Sequence, residues 1–295
     1  MMIRRGSGVR ARLRPDEFRL IRDLINEHAG LTFDESAIYT FERRLGERLA
    51  ELDLRSFDEY YKYLRFHVRG TAELDDAIDL LTTKETYFFR QEYQFRAFRD
   101  EMLPELAKQN AGRRRLAIWS AGCSTGEEAY TIAIYLLESK LFEGWDLRVI
   151  GSDISKTSVA AARRGVYRPA SFRTTPNDVR QTYFTEQRDG TAVNESVRRL
   201  CHFGQLNLLD ATKASIVGRV DVVFCRNVLI YFDVRSRRRV IDSLYQRLLP
   251  GGFLLLGHSE SLLNVSTAFE LVHLKEDLVY RKPLASERWD VTDKG

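Results

Sequence analysis

Ten residues, Trp119-Ser120-Ala121-Gly122-Cys123-Ser124-Thr125-Gly126-Glu127-Glu128, constrain the fold more than any other stretch of the chain. The apolar run Leu116, Ala117, Ile118 before them reads as a buried strand, and the apolar spacing from Ala129 to Leu137 after them reads as a helix. A strand, a small-residue turn and a helix in that order open a βαβ unit. Glycines at 122 and 126 let backbone approach a ligand closely, and the helix N-terminus beyond them presents unpaired N–H groups. The turn lacks the G-x-G-x-x-G of dinucleotide binders, so a nucleotide-like ligand and an ordinary tight βα turn both stay open at this point.

The alternation continues downstream. Leu147 to Ser152 reads as a second strand ending at Asp153, and Ser155 to Arg164 as a helix. Val220 to Cys225 is a further buried strand, followed by Arg226-Asn227-Val228-Leu229-Ile230-Tyr231-Phe232 at its C-terminal end. A helix from Arg235 to Leu249 is expected to stop at Pro250-Gly251-Gly252, ahead of a strand from Phe253 to Gly257. Phe269 to Leu274 and Leu278 to Lys282, divided by Lys275-Glu276-Asp277, read as a closing antiparallel hairpin. This βαβα order predicts an α/β, Rossmann-like doubly wound parallel sheet with ligands at the C-terminal strand ends. Asp153 occupies such an end, either as an acceptor for ribose hydroxyls or as a helix N-terminal acid. Between Tyr167 and Phe203 the alternation breaks. Pro176 to Phe184 looks helical and Gln187-Arg188-Asp189-Gly190 looks like a hairpin turn, which suggests an insertion on the sheet edge.

Before any strand signal come four amphipathic segments, which predict a small all-α domain. Asp16 to His28 carries Phe18, Ile21, Leu24 and Ile25 at helical spacing, with Gly30 placed to end it. Asp34 or Ser36 caps a second helix through Leu49, which would expose Arg43, Arg44 and Arg48 as a solvated face or a docking surface for an acidic partner. A third helix runs from Phe57 through Val68, with Tyr60, Tyr61, Leu64 and Phe66 as core candidates, and a fourth from Ala72 to about Leu81. The expected division is a helical domain over 15–85, an α/β domain over 86–283 with an insertion at about 167–203, and tails at 1–14 and 284–295.

Composition narrows the function. With 44% hydrophobic and 30% charged residues, the chain has the balance of an ordinary globular protein. The net charge of +4 favours acidic partners only mildly, and Arg4, Arg5, Arg10, Arg12 and Arg14 place part of it in the N-terminal tail. No apolar run approaches the roughly 20 residues that span a bilayer, and the start has no signal-peptide core, so a cytoplasmic protein without membrane insertion is expected. Cys123, Cys201 and Cys225 are far apart with no C-x-x-C pair, and the five histidines do not cluster. Disulfide and metal chemistry are therefore not expected.

Several separate motifs resemble one family, the chemotaxis receptor methyltransferases known as CheR. Thr82 to Arg90 is similar to that family's T-T-N-x-T-x-F-F-R segment, Ser120 to Glu128 to its S-A-x-x-S-T-G-E-E turn, and Phe224 to Phe232 to its F-C-R-N-V-x-I-Y-F segment. Gly257-His258-Ser259-Glu260 looks like its G-H-S-E strand end, and the resemblance runs from about residue 16 to residue 282. It implies a helical N-terminal domain, an S-adenosylmethionine-dependent methyltransferase domain and a small inserted β-subdomain. It also implies methyl transfer to glutamate side chains in the cytoplasmic helical bundle of chemoreceptors, with S-adenosylhomocysteine as product and no nucleic-acid partner. Carried over by motif, Thr86, Arg90, Glu128, Asp153, Asn207, Leu208, Arg226 and Asn227 would line the cofactor site, with Glu127 adjacent. Arg90 and Tyr231 would lie nearest the transferred methyl. Lys84 departs from the asparagine that the family often has there.

These residues make chemical sense in their own right. A glutamate carboxylate, with a reference pKa of about 4.3, is ionised at neutral pH and needs no general base to attack a sulfonium. No catalytic histidine is evident, and His258-Ser259 has no G-x-S-x-G elbow to support a hydrolase. Arg90 could orient the incoming carboxylate and Tyr231 could shape the methyl pocket. Asn207 and Asn227, as amides, both donate and accept. Two other readings remain open: a non-catalytic cofactor-binding module that docks receptors, and a methyltransferase of another substrate class. Amino-group methylation of bases often uses N-P-P-Y or D-P-P-Y where this chain has Arg226-Asn227-Val228-Leu229. Some members of the family hold a receptor's C-terminal peptide on the inserted subdomain, but Thr185 to Phe203 looks short for that grip. Docking is accordingly expected to be tether-free, through Arg43, Arg44 and Arg48.

Overall fold

A computed structural model of the chain describes residues 11–284. Arg4, Arg5 and Arg10, and all of the expected C-terminal tail except Leu284, lie outside the described residues. The chain divides between Thr83 and Lys84 into two compact units.

The first unit consists of α1 (Pro15–Ala29), α2 (Ile38–Glu51), α3 (Phe57–Phe66) and α4 (Gly70–Leu81). Pro15 opens α1 and Gly30 caps it, donating its N–H to the Asn26 carbonyl. Asp34 caps not α2 but the 3₁₀ turn Glu35–Ala37 that leads into it. Apolar side chains at helical spacing, among them Phe18, Ile21, Phe41, Leu45, Phe57, Tyr60 and Ile78, form the core. Phe66 does not join them: at the last position of α3 it is 77% exposed.

One buried carboxylate organises this unit and corrects the reading of α2. Glu73 accepts from Arg48 Nε at 3.0 Å and Nη2 at 2.5 Å, and from the Tyr60 hydroxyl at 2.8 Å. Arg48 also meets Glu51, so its guanidinium is turned onto acids of its own unit. Arg44 is half-buried and donates to the carbonyls of Leu80 (2.6 Å) and Thr82 (3.5 Å). Of the three arginines only Arg43 is exposed. Removing one partner of a buried ion pair leaves the other charge uncompensated. Arg48→Ala should therefore destabilise the protein by about 3 kcal/mol, read by urea denaturation. Arg43→Ala, at an exposed site, should change stability by less than about 0.5 kcal/mol.

The second unit begins with a helix in three parts: α5 (Glu92–Ala97), a π-helical turn (Phe98–Met102) and α6 (Leu103–Gln109). There follow β1 (Arg115–Ala121), α7 (Glu127–Ser139), β2 (Asp146–Asp153), α8 (Lys156–Arg164), β3 (Val166–Tyr167), α9 (Asn177–Tyr183), β4 (Phe184–Gln187), β5 (Gly190–Val193) and α10 (Glu195–Arg198). The unit ends with β6 (Cys201–Gln205), α11 (Ala211–Ala214), β7 (Val220–Cys225), α12 (Val234–Arg247), β8 (Leu248–Leu256), β9 (Glu270–His273) and β10 (Leu278–Arg281). Seven strands pair in the order β6-β2-β1-β7-β8-β10-β9. The first five are parallel, and the β9–β10 hairpin adds antiparallel to β8 through β10. A separate antiparallel sheet, β3-β5-β4, forms between α8 and α10. The architecture is the α/β, Rossmann-like one read from the sequence, with an all-α N-terminal unit and a small β-subdomain.

Two details differ from the sequence reading. Cys201–Gln205 is a parallel strand on β2, although Cys-His-Phe-Gly-Gln has no apolar run, because it lies at the sheet edge where burial is partial. Pro250-Gly251-Gly252 is not a loop between helix and strand. α12 ends at Arg247, and these residues form a bulge within β8, opposite a register shift between Val220 and Val222. The sheet order reverses between β1 and β7, since β2 and β6 lie to one side of β1 and β7 and β8 to the other. In such sheets a crevice opens at the C-terminal strand ends of the reversal point.

Candidate cofactor and active site

The crevice is built by three loops whose backbones are held in uncommon conformations. Behind β1, the N–H groups of Gly122 and Cys123 donate to the Ser152 carbonyl at 2.8 and 2.9 Å. Ser124 follows at φ 49°, and its N–H donates to Asp153 Oδ2 at 2.8 Å. Asp153 Oδ1 accepts from Ser155 N–H at 2.9 Å, so this one carboxylate clamps the glycine turn to the end of β2 and the start of α8. Gly122, at φ 83°, lies against the loop behind β7: a Cβ there would stand 2.4 Å from Val228 Cγ2. Only hydrogen fits.

The second loop is the aromatic segment before α5. Phe89 and Gln91 flank Arg90 at φ 60° and 59°, a costly region for a side chain as bulky as phenylalanine. Arg226, just past the end of β7, grips this segment at Arg90 and Gln91. Its side chain is 2% exposed and its guanidinium donates to Gln94 Oε1 (2.6 Å), Glu128 Oε2 (3.0 Å), the Arg90 carbonyl (2.8 Å) and Gln91 Oε1 (2.8 Å). Glu128 accepts in turn from Ser120 Oγ at 2.7 Å. Glu128 and Arg226, expected at the cofactor, thus direct their side chains to each other and to the protein. They shape the crevice wall. Arg90 is half-buried, its Nη1 donating to the Glu85 carbonyl at 3.1 Å. Thr86 is half-buried in the same segment, and Lys84 anchors its start to α8 through Thr157 Oγ1 at 2.6 Å.

The third loop carries Asn227, at φ 58°, and Tyr231, on the 3₁₀ turn Leu229–Tyr231. Its anchor is a residue whose role the sequence did not disclose. The Glu260 carboxylate accepts four backbone N–H groups, those of Asn227 (2.7 Å), Val228 (2.9 Å), Ile230 (3.1 Å) and Gly257 (2.7 Å). The available signal was the Gly257-His258-Ser259-Glu260 motif at the end of a buried strand, which does not say what its acid holds. Arg237 Nε secures the far side, donating to the carbonyls of Leu229 and Phe232 at 2.9 and 3.0 Å. Tyr231 is exposed rather than a core aromatic.

Behind β6, Asn207 folds its Oδ1 onto the Leu209 N–H at 3.0 Å, and Leu208 is a buried apolar neighbour. The Leu206 N–H donates to the Asp153 carbonyl at 2.9 Å, which brings this end beside β2. Glu127 is buried, accepting from Thr125 Oγ1 (2.6 Å) and Ser171 Oγ (3.0 Å), and burial raises its pKa against the lowering effect of those hydroxyls. Burial also pushes the Cys123 and Cys225 thiols well up, so neither is poised as a nucleophile. Among the described residues no group of three or more His, Cys, Asp or Glu could hold a metal ion.

Residues 84–278 match the family model described as CheR methyltransferase, SAM binding domain, and residues 16–82 the one described as CheR methyltransferase, all-alpha domain. The chain belongs to the CheR methyltransferase family. It is 37% identical to chemotaxis protein methyltransferase 2 of Vibrio cholerae serotype O1, over 90% of this chain and 93% of that one. It is 32% identical to chemotaxis protein methyltransferase 1 of Pseudomonas aeruginosa, over 90% of this chain and 97% of that one. The chain is thus an S-adenosylmethionine-dependent methyltransferase, and no helix among its described residues is long and apolar enough to cross a membrane. The crevice of a CheR methyltransferase suits that cofactor here: the glycine turn allows close approach of backbone. Ser124 Oγ within it is buried with no partner among the described residues.

Two measurements test this geometry. Glu260→Ala removes a charged acceptor from four N–H groups and should cost on the order of 3 kcal/mol in stability, with Glu260→Gln recovering part of it through its one carbonyl oxygen. Glu127 gives a pH signature. Burial raises its folded pKa above the ordinary glutamate value of 4.5, so the folded protein keeps this proton where the unfolded chain releases it. The contribution is full below 4.5 and is lost as pH rises through the folded value. Glu127→Gln should abolish that loss, seen in urea denaturation across this range.

Proposed function

We propose that this methyltransferase acts on glutamate side chains in the cytoplasmic helical bundle of chemoreceptors, forming glutamate methyl esters and S-adenosylhomocysteine in chemotaxis adaptation. The names of the relatives, chemotaxis protein methyltransferases, support the setting. The observation that carries the chemistry is Arg226, which grips the carbonyl of Arg90 and heads the loop that bears Tyr231.

When bound, S-adenosylmethionine supplies a methyl group on a positively charged sulfur. In this reading Asp153, Asn207 and Asn227 receive its polar groups, Leu208 and Thr86 line it, and Glu128 and Arg226 keep the walls in place. Asp153 is suited because its carboxylate is an acceptor fixed at the end of β2 by two N–H donors. Arg90 orients the incoming carboxylate, which is anionic at neutral pH and needs no base. Tyr231 presents its ring and hydroxyl beside the path of the methyl. What the protein contributes is alignment of nucleophile and electrophile, a device that supplies roughly 7 to 11 kcal/mol when geometry is near attack.

The reading is tested by incubating the protein with methyl-labelled cofactor and chemoreceptor cytoplasmic fragments. Label should appear on glutamate-containing peptides and be released by mild base. Label on amines or nucleic acid, or none on receptor, would overturn it. Arg90→Ala should lower kcat about a hundredfold with little change in unfolding midpoint, since a small misplacement at the reacting centre costs that much. Tyr231→Phe, which keeps the ring, should lose less.

A further inference from the structure

The first turns of α12 carry charge that the fold does not use. Val234-Arg235-Ser236-Arg237-Arg238-Arg239 opens the helix with four arginines and no acid in its first turn. Cations at a helix N-terminus oppose the helix dipole, so helix stability does not account for them. The cap is already provided by Asp233, which accepts from the Ser236 N–H at 2.7 Å. Arg237 is turned onto the Tyr231 turn. Arg235, Arg238 and Arg239 are exposed and form no ion pair among the described residues. Arg238 touches only the Asn264 carbonyl at 3.2 Å, and Arg239 the Leu209 carbonyl at 3.4 Å. The acids on this helix are the capping Asp233 and an exposed Asp242, one turn beyond Arg238.

Apolar side chains stand on the same surface. Val234 is 59% exposed and Leu263, next to the Asn264 that receives Arg238, is 78% exposed. Ile230 and Tyr231, on the turn that runs into α12, are exposed as well. Large apolar groups left in solvent beside unpaired cations mark an interaction surface better than a solvated face.

We propose that this face of α12 docks the acidic helical segment bearing the methyl-accepting glutamate, an inference that rests on the substrate reading above. Arg235 and Arg238 are three residues apart, hence neighbours on one helix face, and would meet carboxylates three or four residues apart on a partner helix. The surface is continuous with the turn that carries Tyr231, so a helix held there brings one of its carboxylates to the crevice. α2 offers less, because Arg48 and Arg44 are occupied within their own unit.

The test compares wild type, R235E/R238E and R235K/R238K, with R43E as a control on α2. Binding of a glutamate-rich chemoreceptor cytoplasmic fragment is measured by fluorescence anisotropy with S-adenosylhomocysteine present, beside methyl transfer and calorimetric affinity for S-adenosylhomocysteine. R235E/R238E should bind the fragment about tenfold more weakly, raise KM without lowering kcat, and lose most of the salt dependence shown by wild type. R235K/R238K and R43E should stay within about threefold of wild type. Unchanged affinity for S-adenosylhomocysteine shows that the fold and cofactor site are intact. Equal fragment binding by wild type and R235E/R238E overturns the proposal, as does a wild type that does not bind the fragment. A wild type that binds but transfers no methyl refutes the substrate reading instead, and the binding comparison still decides the surface.

Discussion

A single buried guanidinium sets the shape of the crevice. Arg226 stands where β7 ends, and its donors reach an acid on α7, the side chains of Gln91 and Gln94, and the backbone carbonyl of Arg90. A buried arginine is tolerable only when its donors are satisfied and its charge is paired. Here Glu128 supplies the charge and Phe95 a ring face, with the guanidinium carbon 5.1 Å from its centroid. The bonds of Arg226 to the Arg90 carbonyl and the Gln91 side chain, with the Phe89 N–H on Thr131 Oγ1, tie down the segment in which Phe89 and Gln91 are left-handed. The strained residues on either side of Arg90 thus lie beside a largely buried charge network.

Glu260 does for the opposite wall what Arg226 does for this one. Asn227 also has a positive φ, and its N–H is one of the four that converge on the Glu260 carboxylate. With Ser124 at φ 49° on Asp153, each of the three loops keeps a non-glycine residue in a disfavoured conformation through an ionised side chain. Such residues gather where function fixes a geometry that local preference would relax.

The sheet was legible because buried parallel strands are continuous apolar runs, as in Val222 to Cys225, and because the alternation with helices left one topology class. β6 was hidden because an edge strand needs only partial burial, and Cys-His-Phe-Gly-Gln shows no period. The bulge at Pro250-Gly251-Gly252 was read as a helix stop, since its signal is local and its cause, pairing with β7, is not. The motif segments could be named from sequence. The direction of their side chains could not: Arg48 looked like part of an exposed stripe until Glu73, 25 positions later, turned it inward. Glu260 likewise has no local mark of the four N–H groups that it collects. Partners distant in sequence decide what a charged residue does, and periodicity carries no record of them.

The bonds that shape the crevice span most of the second unit. Arg226 reaches back 132 residues to Gln94 and 98 to Glu128, and Glu260 lies 33 beyond Asn227. Pairings so distant form late, because loop closure must precede any reward from contact. During synthesis the Arg90 segment is made before Arg226 and the Asn227 loop before Glu260, so each meets its anchor only later, whereas the glycine turn needs no more than the end of β2. A chain interrupted before residue 260 would have the glycine turn and most of the sheet but a slack third loop. The loop that bears Tyr231 therefore takes its shape only in a chain made past residue 260.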